Sequence, residues 1–182
     1  MTLGALIDLG VPIAELQEMV RTLGLSEVTV SAETVQRCGV AATQVHVHFP
    51  HQHVHRRFSD IRSLIEKSPL SDRVKSQAIA CFRRLAEAEA RVHRTTIEEV
   101  HFHEVGALDA IVDIVGSVWA LERLGVEQVL ASEIVTGYGT VQAAHGELPV
   151  PAPATAYLLE GVPVRTGAYP QEMTTPTGAG IV

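Results

Sequence analysis

Between Gly106 and Gly125 the chain runs Ala-Leu-Asp109-Ala-Ile-Val-Asp113-Ile-Val-Gly116-Ser-Val-Trp-Ala120-Leu, apolar on almost every side of a helical wheel. At 100 degrees per residue Leu108, Ile111, Ile114, Val115, Val118, Trp119 and Leu121 cover most of the circumference. A helix of this kind must be wrapped by other elements, so the rest of the fold has to be built around it. Its one polar stripe is narrow and consists of Asp109 and Asp113, followed by the small residues Gly116 and Ala120. Carboxylates one helical turn apart have Cβ atoms about 5–6 Å from each other, close enough to share a cation or a ligand. Charged and unpaired in an apolar setting they would cost several kcal/mol each. They therefore need a partner: either a cation or ligand at a site, or structural arginines and backbone amides.

Periodicity elsewhere supplies the wrapping elements. Ile13, Leu16, Met19, Val20 and Leu23 have helical spacing behind Pro12 and ahead of Gly24. Two alternating stretches, starting at Val28 and Val40 and meeting at Gln36-Arg37-Cys38-Gly39, predict a β-hairpin. A short helix is expected over Ser59–Lys67, and a long amphipathic one over Ser71–Arg94 with Val74, Ala78, Phe82, Leu85, Ala88 and Val92 on one face. Val126–Ile134 reads as a strand and Ala152–Glu160 as a short helix. Thr175 is placed to cap a helix that begins at Pro176. The expected fold class is α+β: mixed helices and strands in a single domain over residues 1–182, with an N-terminal hairpin and a long central helix pair. Met1 opens directly in a helical pattern and Val182 ends on an apolar run, so both ends read as cut.

The most conspicuous polar feature is histidine. Five of the nine lie between residues 46 and 55, as His46, His48, His51, His53 and His55, and His101 and His103 follow beside Glu104. Imidazole is the commonest protein ligand for borderline transition metals. On an extended strand His46 and His48 share one face and the next three another, which makes a row of ligands and not a closed cage; the His-rich loop spanning 48–57 is either such a row or a solvated polar loop. The two cysteines have no paired spacing for a zinc site. A net charge of -7 argues against a nucleic-acid binder, and no apolar run reaches the roughly 20 residues of a membrane span. The chain reads as cytoplasmic.

Three motifs in order carry a resemblance to a known family: His101-Phe-His103-Glu104-Val-Gly106-Ala-Leu-Asp109-Ala-Ile-Val-Asp113, then His145-Gly146-Glu-Leu-Pro149-Val-Pro151-Ala-Pro153-Ala154-Thr155, then Glu172-Met-Thr174-Thr175-Pro176-Thr177-Gly178-Ala179. Together with Phe58-Ser-Asp60-Ile61 and Leu85–His93 they closely resemble the LarC-type nickel insertion proteins. The resemblance implies a nickel chelatase that loads nickel into pyridinium-3,5-bisthiocarboxylic acid mononucleotide. The product is the nickel-pincer cofactor of lactate racemase-type enzymes, and CTP is hydrolysed with the help of Mg or Mn. It also implies that family members carry a strand and a glycine-rich turn ahead of Met1 and continue well beyond Val182. Nucleotide handling is associated with that later part. A lactate racemase-type apoenzyme is an implied partner and a homo-oligomer the expected state.

Within that implied role the residues divide by chemistry. Delivery of a metal to an organic ligand needs a site that releases it, which suits the His46–His55 row with His101. A phosphorylated substrate needs oxygen-ligated cations and amide donors, for which Asp109, Asp113 and the helix start at Thr175, Thr177 and Gly178 are candidates. Gly137-Tyr138-Gly139 is too short for a dinucleotide fingerprint, but both glycines are candidates for the same binding backbone. Proton abstraction from the ring carbon needs a base, and His103, Glu104 or His145 could serve. His101, His103, Asp109, Asp113 and His145 are expected to line one pocket. The alternatives from other classes are a noncatalytic nickel or zinc storage module and a metal-assisted phosphohydrolase.

Overall fold

The apolar segment forms the helix around which the chain is organised. The computed structural model describes residues 1–50, 56–102, 107–143 and 145–182. In chain order the elements are α1 (Thr2–Asp8), α2 (Ile13–Thr22), β1 (Thr29–Arg37), β2 (Val40–His48), β3 (Arg56–Arg57), α3 (Phe58–Lys67), α4 (Asp72–His93), β4 (His101–Phe102), α5 (Leu108–Arg123), β5 (Ile134–Val135), β6 (Thr140–Ala143), β7 (Gly146–Pro149), α6 (Pro153–Leu158), β8 (Val164–Arg165) and α7 (Pro176–Ile181). This is the mixed α+β arrangement expected, with the hairpin at the N-terminal end.

Helix α5 is enclosed by α1, α2, α4 and α7. Ile111, Val112, Ile114 and Val115 have no exposed surface, and burial of each side chain of this size stabilises the fold by about 1.5–3 kcal/mol. The small half of its stripe is explained by packing. A Cβ on Gly116 would stand 3.0 Å and 3.2 Å from the methyls of Leu3 and Leu16, so the glycine lets α1 and α2 approach. The long helix α4 lies alongside. Ser71 caps it by accepting from the Val74 amide at 3.1 Å, and the same hydroxyl donates to Glu122 near the C-terminal end of α5 at 2.8 Å.

Helix α6 docks on the far half of α4. Arg84 donates to the Leu158 carbonyl at 3.2 Å, and Arg91 pairs with Glu160 at 2.8 Å while lying 3.9 Å over the Tyr157 ring. The strands form four separate pairs: β1–β2, β3–β4 and β6–β7 antiparallel, and β5–β8 parallel. The first is the expected hairpin, and Cys38 and Gly39, both at positive φ (50° and 79°), make its two-residue turn.

One sequence expectation is corrected. Val126–Ile134 does not form a strand; only Ile134 and Val135 pair, with Val164 and Arg165. Val129 and Leu130 are 60% and 83% exposed, and no neighbouring strand runs beside them among the described residues. The expected helix at 152–160 is shorter, Pro153–Leu158. Among the described residues no helix is long and apolar enough to cross a membrane.

Candidate functional site

The acidic half of the α5 stripe opens onto a cavity. Asp109 and Asp113 line a space of about 430 Å³ together with Met1, Glu172, Thr175, Thr177 and Gly178. The start of α1, the first turns of α5 and the segment 172–181 meet there, and local chemistry places the last two. Helix α5 presents its two carboxylates one turn apart at its N-terminal end. Thr175 accepts from the Gly178 amide at 3.1 Å and starts α7 with Pro176 at its first turn, as its sequence implies. Glu172 is held by a bridge to Gly137, where a side chain would collide with the Gln171 carbonyl oxygen. Thr174 donates to the Val135 carbonyl at 2.7 Å and fixes the same segment against β5.

No arginine pairs with either carboxylate of the stripe among the described residues. Asp109 is exposed and accepts from the amide of Ala110 at 2.8 Å. Asp113 is half-buried, and burial pushes its carboxyl above the ordinary aspartate range; the Met1 ammonium opposes that and the neighbouring Asp109 charge adds to it. Apart from the Met1 ammonium, no positive group is paired with the two carboxylates among the described residues. Such an arrangement favours a divalent cation or a cationic ligand. The donors available, carboxylate and hydroxyl oxygens, match a hard cation such as Mg or Mn. Among the described residues no three His, Cys, Asp or Glu side chains converge closely enough to hold a metal alone. A cation here would complete its shell with water and ligand oxygens, as Mg commonly does at phosphate sites.

The histidines are distributed. His46 and His48 sit on one face of β2 with rings stacked 5.9 Å apart. His46 lies 2.9 Å from Glu33, and His48 is 3.1 Å from the Ser31 hydroxyl. His51, His53 and His55 lie outside the described residues, as do His103 and Glu104. His101, on β4, is half-buried, and its Nδ1 is buried with no hydrogen-bond partner among the described residues. His145 does not join the aspartates. It lines a second cavity with His93, and the two cavities share Pro176. The expected single pocket is thus two neighbouring ones as far as Asp109, Asp113 and His145 are concerned. The physical reason is that His145 stands at the β6–β7 turn beside α4, whereas the aspartates face α7.

Gly137 and Gly139, at φ 77° and 91°, serve the path of the chain next to residues 170–172. Glu172, Glu89 and His93 stand within the motifs read from sequence, but none of them is assigned to a site there. The available signal for the last two was their i,i+4 spacing on α4, which places them on one face.

The comparisons with known proteins agree with one another. A candidate nickel insertion protein of Geotalea uraniireducens is 54% identical over 184 residues, covering 100% of this chain and 47% of that protein. The pyridinium-3,5-bisthiocarboxylic acid mononucleotide nickel insertion proteins of Desulfitobacterium hafniense strains DCB-2 and Y51 are 51% and 50% identical over 182 residues, with 100% of this chain and 45% of each relative covered. The chain thus spans about half the length of the curated relatives it matches. No solved structure matches it. The family model described as nickel insertion protein matches residues 1–182, and the chain belongs to that family.

Proposed function

We propose that this chain forms part of a nickel chelatase that inserts nickel into pyridinium-3,5-bisthiocarboxylic acid mononucleotide. The observation that carries the reading is the pair Asp109 and Asp113, without an arginine partner among the described residues, facing the Thr175–Gly178 segment across one cavity. Relatives at about half identity bear the name of that reaction. A mononucleotide brings a phosphate, and a pair of carboxylates repels it unless a cation stands between them. Asp109 and Asp113 would hold that cation, Mg or Mn, which neutralises charge and orients the phosphate. The hydroxyls of Thr175 and Thr177 then face the ligand, and the Gly178 amide, donating to the Thr175 oxygen, holds that hydroxyl in place.

Nickel is the second substrate. His46 and His48, with His51, His53 and His55 of the same sequence window, would collect it, and His101 offers a further imidazole. Insertion replaces a ring C–H bond by a nickel–carbon bond, so one proton leaves for a base while the two thiocarboxylate sulfurs complete the chelate. His145, His103 and Glu104 are the candidate bases. Hydrolysis of CTP, delivery of the product to a lactate racemase-type apoenzyme, a homo-oligomeric state and a cytoplasmic location complete the reading.

The test uses the full-length protein incubated with nickel, the mononucleotide and CTP with Mg, and follows the absorbance and mass of the nickel complex. Nickel-dependent formation of that complex supports the proposal. Its absence, with turnover of simple phosphoesters in Mn instead, would replace it by a metal-assisted phosphohydrolase.

A further inference from the structure

The second cavity differs in character from the acidic one. It encloses about 150 Å³, and Val92, Leu148, Pro153 and Ala154 give it apolar walls. Its polar side is a row of three groups. Glu89 and His93 occupy adjacent turns of α4, with the carboxylate oxygen 3.6 Å from the His93 Nε2 and the side chains only 16% and 29% exposed. The His145 ring lies 4.9 Å from that of His93, tilted by 40°. A small apolar-walled cavity with two mutually packed imidazoles and one carboxylate at its polar side has the chemistry to take a cationic aromatic ring. Apolar walls take the ring carbons, a neutral imidazole packs against the ring, and the Glu89 carboxylate supplies the counter-charge. The size agrees, since an engineered apolar cavity of about 150 Å³ accommodates benzene.

We propose that this cavity seats the ring of a pyridinium-type ligand, with Glu89, His93 and His145 as its recognition groups. The identity of the ring rests on the function proposed above; the fit of a flat cationic heteroaromatic rests on the cavity itself. Pro176 lines both spaces, so the cavities adjoin, and a ligand with its ring here would extend its ribose phosphate toward Thr177 and a cation held by Asp109 and Asp113. The two cavities then divide one mononucleotide between them.

The experiment is calorimetric titration of the full-length protein with nicotinic acid mononucleotide, a pyridinium ring on ribose 5-phosphate, and separately with ribose 5-phosphate. Ala143→Phe projects a ring into the slot from β6, and Leu148→Trp does so from β7 and replaces it should the first variant fail to fold. The expected result is a loss of at least tenfold in affinity for the pyridinium mononucleotide in the folded variant, with ribose 5-phosphate binding unchanged. No binding of the pyridinium probe by the unaltered protein, unchanged affinity in the variant, or an equal loss for both ligands would overturn the proposal. Nickel incorporation separates it from the broader reading. If the unaltered protein binds the probe in this slot-dependent way but inserts no nickel, the ring site stands and the chelatase reading falls. Normal insertion by the folded variant overturns the ring site and leaves the chelatase reading in place.

Discussion

The carboxylates of Asp109 and Asp113 occupy consecutive turns of α5 at the wall of one cavity, and among the described residues no arginine is paired with either. Burial raises the Asp113 carboxyl, the Met1 ammonium opposes this, and the Asp109 charge adds to it. A cation bound in the cavity would favour the charged form of Asp113. The consequences can be tested first on stability and then on chemistry.

Asp113→Asn should stabilise the ligand-free protein at neutral pH, by up to about 1 kcal/mol, the scale of one unfavourable, partly exposed charge interaction. Thermal denaturation followed by circular dichroism measures it. A variant that unfolds at lower temperature than the parent would mean that the aspartate has a structural partner.

The same variant carries a pH signature. The carboxyl of Asp113 is raised in the folded protein above its ordinary value of 3.8, so between those two values the folded state binds more protons than the unfolded one. In that window this group makes the protein more stable as pH falls. The stability advantage of Asp113→Asn should therefore shrink as pH is lowered through the window and be gone below about 3.8. Melting curves of both proteins across the acid range test this. A difference that is constant with pH would show that Asp113 does not titrate as described.

Gly116 belongs to the same stripe but is assigned to packing. Gly116→Leu would drive a side chain into Leu3 and Leu16, an overpacking that typically costs about 1–3 kcal/mol. Urea denaturation should show a lower midpoint with the slope unchanged. An unaffected midpoint would imply that α1 and α2 are not seated on α5 as described.

The central helix, the hairpin and the cap at Thr175 were legible in the sequence because each rests on local chemistry. Apolar periodicity, two alternating stretches meeting at a glycine, and a Thr-Pro helix start all act over a few neighbours. The strand expected at Val126–Ile134 was not, because a strand exists only where a partner lies beside it, and here Ile134 and Val135 alone find one in β8. The Asp109–Asp113 stripe could be read from a helical wheel. Its division from Gly116 and Ala120 could not, since that depends on which helices land where. The association of His93 with His145 joins α4 to the β6–β7 turn, and nothing local to either residue announces it.

The His46–His55 row is expected to bind nickel independently of the aspartates. His46 and His48 already stack on one face of β2. Replacing the histidines from His46 to His55 by Gly and Ser should abolish nickel binding in a calorimetric titration, while the same titration of Asp113→Asn should match the parent. Unchanged affinity in the first variant would place the nickel site elsewhere.

Asp113→Asn in the full-length protein, assayed for formation of the nickel–mononucleotide complex, tests the role of the acidic cavity most directly. The substitution keeps size and hydrogen-bonding capacity and removes one charge, so it separates holding a cation from filling space. The account predicts a folded protein that binds nickel at the histidine row normally and forms the complex at least a hundredfold more slowly. Complex formation at the parental rate by a folded variant would contradict it.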